Sequence, residues 1–150
     1  MFKETTWKDG EKKVQEYMKR AGYKIIYTNF SCVGVELDIV AILPKKIQSR
    51  DLKKEYKQKI LNDKARKQVY RCSLKSLLKN LEDLLVITEV KARETDKYGL
   101  GSESVSDFKK QNIIRGARFL QKDSRFEKMQ FRFDVASVDD GKISYIEKAF

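Results

Sequence analysis

Two apolar runs with carboxylates set inside them, VGVELDIVAIL (33–43) and DLLVITEVKAR (83–93), constrain this 150-residue chain more than anything else in it. Both are rich in β-branched residues, and both read as strands inside a sheet rather than at its wet margin. Successive side chains on a strand point to opposite faces. In the first run Val35, Leu37 and Ile39 then share one face, and Glu36 and Asp38 the other. In the second, Val86, Thr88 and Val90 share one face, and Ile87, Glu89, Lys91 and Arg93 the opposite one. If the strands pair, three carboxylates and a lysine gather within a core, where unpaired charge is costly. The cluster then needs a metal, an ion-pair network or a functional reason. The plainer alternative is alternating charge on a wet sheet face, with Lys91 pairing Glu89 or Asp38.

The rest of the chain supplies what such a sheet needs. Val14, Tyr17, Met18 and Ala21 recur at helical spacing, Gly22 stands where that helix should stop, and Glu11 lies one turn earlier on the same face. YKIIYTNF (23–30) reads as a strand joined to the first carboxylate-bearing run through the Phe30–Ser31–Cys32 region, and Pro44 closes that run. ETDKYGLGSES (94–104) is a polar loop with glycines. SDFKKQNIIRGARFLQK (106–122) is helical, and FRFDVASV, DDG and ISYIEKAF read as a strand, a turn and a strand. The expected order is α-β-β-(insertion)-β-α-β-β, an α/β arrangement with a mixed sheet flanked by helices in one domain over 1–150.

Residues 45–82 differ from everything around them. Apolar side chains thin to helical spacing, with Leu52, Tyr56 and Ile60 in one weak stripe and Tyr70, Leu74, Leu77, Leu78 and Leu81 in a better one. This segment reads as a helical insertion of one or two helices. From Lys45 to Lys79 it holds 13 basic and three acidic residues, a difference of +10 against +11 for the whole chain. A net charge that high favours a polyanionic partner, nucleic acid above all, over a small acidic substrate. The candidate phosphate contacts are Lys53, Lys54, Lys57, Lys64, Arg66, Lys67 and Arg71 here, with Arg93 beside the sheet. Tyr56 and Tyr70 are placed either to stack on bases or to pack within the segment.

The chain contains no histidine. That removes Ser-His-Asp triads, Cys-His pairs and histidine-based phosphodiester chemistry. Cys32 and Cys72 form no CxxC pattern, which argues against a disulfide framework or structural zinc and suits a reducing compartment. MFKETTWKDGEKK has no apolar core for a signal peptide, and no run approaches membrane-spanning length, so the expected location is the cytoplasm. For phosphate chemistry, carboxylates holding a hard divalent ion become the leading choice. Asp38 and Glu89, with the backbone carbonyl of Val90 and water, suit Mg²⁺ or Mn²⁺. Lys91 is placed to orient the attacking water or to stabilise the transition state.

A carboxylate on one strand followed by Glu-x-Lys on a neighbour resembles the PD-(D/E)XK restriction-endonuclease-like nuclease superfamily, and more closely its YraN-like (UPF0102-type) branch. The resemblance is carried by DGEKKVQEYMKRAGYKIIYTNF, VELDIVA, LLVITEVKARETDKYG, and KKQNIIRGARFLQK through RFDVASV and IEKAF. Family members read GE, GEIDLI and FVEVK-R, matched here by Gly10–Glu11, Glu36-Leu37-Asp38-Ile39 and Glu89-Val90-Lys91-x-Arg93. Val35 replaces a usual glycine, Leu37 stands where the superfamily name has proline, and the family joins its two carboxylate strands by a short turn rather than a long insertion. The resemblance implies Asp38, Glu89 and Lys91 as the catalytic set, with Glu36 and Glu11 as auxiliary acids and Lys110 (or Gln111) reaching in from the later helix. It implies a metal-dependent endonuclease on DNA, branched or structured DNA among its substrates. A non-catalytic nucleic-acid-binding module keeping the nuclease fold is the alternative, and an assembly protein whose basic helices dock an acidic partner is a third. Oligomeric state stays open, a dimer included.

Overall fold

The computed structural model describes residues 2–93 and 105–150, with side chains described for 8–91 and 105–150. The polar loop expected over 94–104 lies outside the described residues. A five-stranded mixed sheet runs in the order β1(Lys24–Cys32), β2(Val35–Leu43), β3(Leu84–Arg93), β4(Gln130–Asp139), β5(Lys142–Ile146). The β3–β4 pair is parallel and the other three pairs are antiparallel. Helix α1(Phe2–Arg20) packs on one face and α4(Asp107–Leu120) on the other. Between β2 and β3 stand α2(Lys45–Asn62), a single 3-10 turn at Lys64–Arg66 and α3(Lys67–Lys79). The expected order of elements holds throughout, and the arrangement is consistent with a nuclease-like α/β fold.

Each core layer is made by one strand face and one helix stripe. Val14 and Met18 of α1 pack with Ile39, Ala41, Val86 and Val90. Ile113, Ala117 and Leu120 of α4 pack with Leu37, Val40, Leu85 and Ile87, and Phe126 closes that layer. Helix α1 stops as expected at Gly22, whose φ of 96° lets Gly22 N–H reach Lys19 and Tyr23 N–H reach Met18, a Schellman closure. A Cβ on Gly22 would also lie 2.9 Å from Ile47, so the same glycine seats the start of α2.

Three details differ from the sequence reading. The β1–β2 turn is Val33–Gly34, beginning three residues later than expected, with φ of 44° and 75°, and Phe30, Ser31 and Cys32 belong to β1. A two-residue hairpin turn whose twist suits the strands needs positive φ at both positions, and Gly34 supplies the easier one. Leu37 does not share a face with Ile39. It packs with Val40 against α4, while Ile39 packs against α1, so the alternation slips at Asp38. On β1 the residue between the pairs Thr28–Ile39 and Phe30–Leu37 is Asn29, whose φ is 50°. Finally, the last strand ends at Ile146 instead of running to Phe150, because the Asp134 carboxylate captures Lys148 N–H at 3.1 Å and Ala149 N–H turns to Phe133 O at 2.8 Å.

The insertion is two helices standing off the sheet. Neither α2 nor α3 contains a buried residue. Their apolar stripes face each other, and Tyr56 meets Tyr70 edge-on at 6.4 Å and 85°. Leu43 pairs with Leu84, so the arm grows from the end of an antiparallel strand pair, and its two ends are neighbours in space. No helix among the described residues is long and apolar enough to cross a membrane.

Candidate active site

The β2–β3 ladder runs from Leu43–Leu84 to Ile39–Thr88 and goes no further. Beyond Thr88 the amides of β3 face a gap, and a buried amide needs a partner. Asp38, at the slip in β2, supplies it: its Oδ2 accepts from Val90 N–H at 2.8 Å. The carboxylate thus sits where the sheet forks, and it is 5 % exposed.

Glu89 lies beside it, and the two acids are in side-chain hydrogen-bond contact. Burial is the largest influence on both and raises both pKa values. Glu89 is pushed up to about 7, by burial first and then by the Asp38 charge. The Val90 amide and the contact with Glu89 favour the ionised form of Asp38, whereas the same contact favours the protonated form of Glu89. Two acids this close and this buried resist being ionised together, so the pair favours holding a proton between them.

A cation reaches this pair from α4: Lys109 Nζ lies 3.3 Å from Glu89 Oε1. Ser106 caps α4 by accepting from Lys109 N–H at 3.2 Å, which sets the phase of the helix. Lys109 then precedes Ile113 by four residues on the buried stripe. Lys110 points elsewhere, its Nζ standing 5.6 Å above the Phe150 ring, and Gln111 is exposed. The sequence places both lysines near the apolar stripe, and the cap at Ser106 is the signal that separates them.

Glu11 approaches from α1. It is 4 % exposed, Oε2 accepts from Asn29 Nδ2 at 3.3 Å, and buried Oε1 has no partner among the described residues. The positive φ at Asn29 turns that side chain toward Glu11, a role not visible in the sequence. Burial raises the Glu11 pKa most, followed by the charges of Asp38 and Glu36. Glu36 is exposed at the rim and also pushes on Asp38. Lys91 follows Glu89 by two on β3, half-buried and opposite Ser137 of β4. The structure thus brings Asp38, Glu89 and Lys109 into contact at one fork in the sheet, with Glu11 and Glu36 near enough to act on the pair electrostatically and Lys91 two residues along β3.

The anticipated phosphate contacts lie apart from this cluster. Lys53, Lys54 and Lys57 on α2, Lys64 and Arg66 on the 3-10 turn, and Lys67 and Arg71 on α3 are all exposed. Among the described residues only Arg66 of these seven forms an ion pair, with Asp63 at 3.8 Å. The Arg93 side chain lies outside the described residues. Tyr56 and Tyr70 pack on each other.

One buried polar network escaped the sequence reading entirely. Arg132 (8 % exposed) grips Asp134 (0 %) with two hydrogen bonds and also donates to Tyr23. Tyr145 donates to Asp134 at 2.7 Å and lies 3.0 Å from Thr88 Oγ1. Every oxygen is satisfied, and the network pins β5 and the C-terminal turn to β4.

The model of the family described as "Uncharacterised protein family UPF0102" matches residues 10–138. The chain belongs to this family. The matched span includes Glu11, Glu36, Asp38, Glu89, Lys91, Lys109 and the whole arm. A UPF0102 protein of Clostridium acetobutylicum is 30% identical over 147 residues, 94% of this chain and 89% of that protein. One of Persephonella marina is 27% identical over 152 residues, covering 100% and 97%. One of Caldanaerobacter subterraneus is 29% identical over 136 residues, covering 91% and 80%. UPF0102 membership thus rests on near full-length similarity on both sides.

Proposed function

We propose that this chain is a metal-dependent endonuclease that hydrolyses phosphodiester bonds in DNA, branched or structured DNA included. The observation that carries the reading is the Asp38–Glu89 pair at the strand fork. Burial raises the pKa of both acids, and the Asp38 charge raises that of Glu89 further, a cost that a purely structural ion pair would not incur. A divalent cation between them would remove it.

The donors fit such an ion. Asp38, Glu89 and the Val90 carbonyl are hard oxygens suited to Mg²⁺ or Mn²⁺. Among the described residues no three acidic side chains come together closely enough to hold a metal. Mg²⁺ does not require that, since it is commonly held by one or two carboxylates and keeps several waters. When bound, the ion supplies Lewis acidity at the phosphate and makes water more acidic.

The chain's own groups do the rest. Asp38 is held in place by the Val90 amide. Lys109 holds the Glu89 carboxylate in place and favours release of its proton. Lys91, two residues along the same strand face, orients the attacking water or offsets charge on the phosphate. Glu11, with one oxygen unpartnered among the described residues, takes up a proton or positions water, and Glu36 at the rim raises the local demand for cations. The exposed lysines and arginines of the arm grip the phosphates.

The test is cleavage of single-stranded, duplex, flapped and four-way-junction DNA with Mg²⁺ or Mn²⁺, with Asp38→Asn and Lys91→Ala proteins in parallel. Asparagine keeps an acceptor for the Val90 amide, so its loss of activity reports chemistry rather than folding. The expected result is metal-dependent cutting reduced by about 10²–10³ in each variant. Binding without cutting under any metal would instead support the non-catalytic nucleic-acid-binding module, a reading favoured by the separation of the basic arm from the acid cluster.

A further inference from the structure

A cleft of about 540 Å³ opens between α3 and the N-terminal half of β4. Its size falls in the range of sites that enclose a small ligand. Phe131, Phe133 and Phe150 line it from the sheet side, and Leu77 and Leu81 from the arm. The Phe133 and Phe150 rings lie nearly parallel, 5.1 Å apart and tilted by 10°, and both remain half-exposed. Phe150 is held there by the captured C-terminal turn, through Lys148 N–H on Asp134 and Ala149 N–H on Phe133 O.

The polar groups in this cleft are cationic or neutral. Arg132 sits at its base, its charge met by Asp134 and by Glu147 at 3.6 Å, so the positive charge at the cleft comes from Lys148 at its border, beside Gln130. Strand β5 pairs with β4 only from Val135 onward, so among the described residues no strand covers the outer backbone edge of Gln130–Arg132. Flat aromatic walls, a free backbone edge and positive charge together suit a planar heterocycle attached to an anion. A lipid tail would not need the polar edge, and an acidic peptide would not need the stacked rings.

The cleft is also near the acid cluster. Phe133 pairs with Ile87, two residues before Glu89 on β3, and Leu84 at the far end is five residues before it. At the strand rise those separations are roughly 7 and 17 Å, or about two to five nucleotides of stacked strand. The first turn of α4 touches both places, with Lys109 on Glu89 and Lys110 over Phe150.

We propose that this cleft receives an unpaired base of the strand to be cut, so that the substrate carries single-stranded DNA within a few nucleotides of the scissile phosphate. The proposal rests on the nuclease reading for its biological sense, but base capture itself needs no metal and no cleavage. A paired base cannot enter, and the +10 arm wall draws the phosphates on either side.

The experiment measures binding in EDTA of single-stranded oligonucleotides carrying 2-aminopurine, of the same oligonucleotides with abasic sites, and of the matched duplex. Wild-type protein is compared with Phe131→Ala and Phe150→Leu, the latter keeping apolar volume while losing the ring. Stacking on one base makes the expected loss in single-strand affinity about tenfold for either variant and for the abasic strand. Duplex affinity should change less than about twofold, and 2-aminopurine emission should respond on wild-type binding only. Equal affinity for abasic and intact strands, or unchanged single-strand binding in both variants, would overturn the proposal. So would free dAMP abolishing the emission change as effectively as the oligonucleotide, which would make the cleft a mononucleotide site. Because no step depends on metal, failure of cleavage and failure of base capture are read separately.

Discussion

The arm and the sheet divide the molecule's charge in opposite ways. Residues 45–79 carry +10 and have no buried position, while the remainder of the chain nets only +1 and buries Asp38, Glu11, Arg132 and Asp134. Charge on the arm is solvated, so it costs little to fold and acts at long range on a polyanion, subject to salt. Charge in the sheet is desolvated, so each group needs a named partner, and where two acids face each other the environment shifts their protonation. The first kind of charge supplies affinity and the second supplies chemistry.

Cutting the arm away would break this comparison most directly. Leu43 and Leu84 are paired, so residues 44–83 can be replaced by an Asn-Gly turn that closes the β2–β3 hairpin. The remaining sheet and its two helices should fold with a cooperative thermal transition, because the arm contributes no fully buried side chain. DNA affinity should fall by about 10² or more at 0.1 M salt, in line with the loss of several phosphate contacts. Each removed contact should lower the slope of log K against log salt by roughly 0.7–0.9. An unchanged slope, measured by titrating labelled DNA at several salt concentrations, would mean that the arm charge serves some other partner.

The buried side can be sharpened through pH. Glu89 has an ordinary value of 4.5 and is raised to about 7 in the fold. Between those values the folded state holds a proton that the unfolded state has lost, so stability must fall as pH rises through this window. Metal-free protein should be more stable near pH 5 than near pH 8 by about 2 kcal/mol from this residue, read as urea midpoints. Glu89→Gln should flatten the trend. Added Mg²⁺ should stabilise the wild type more at the higher pH, where the pair is charged; equal stabilisation at both ends would argue that the ion binds elsewhere.

Much of this was legible in the chain because two periodicities dominate it. The runs 33–43 and 83–93 read as neighbouring strands, and their pairing is what sets Asp38 beside Glu89. The slip at Asp38 was not legible. It depends on a positive φ at Asn29 in a different strand, a non-local constraint that no spacing within ELDIV encodes. The Arg132–Asp134–Tyr23–Tyr145 network was missed for a similar reason. Its members alternate innocently along FRFDV and ISYIE, and only the sheet order brings them under α1. The arm was read as helical from its thinning apolar stripe, and its tyrosines found each other rather than a ligand.

The choice between Lys109 and Lys110 tests how far helix phase can be trusted. Both lie within one turn of the stripe formed by Ile113, Ala117 and Leu120, and they differ by about 100° around the helix. The Ser106 cap directs Lys109 to Glu89 at 3.3 Å and leaves Lys110 above Phe150. Removing Lys109 takes away a cation that lowers the Glu89 pKa, so the acid limb of a cleavage–pH profile should move to higher pH in Lys109→Ala. Cleavage at pH 7 should fall by about tenfold or less, since the lysine is partly exposed and its interaction is screened. In Lys110→Ala the profile should keep its position, and any effect should appear in single-strand binding. A shifted profile for Lys110→Ala and none for Lys109→Ala would place the helix one residue out of phase, and with it the assignment of the cation at the carboxylate pair.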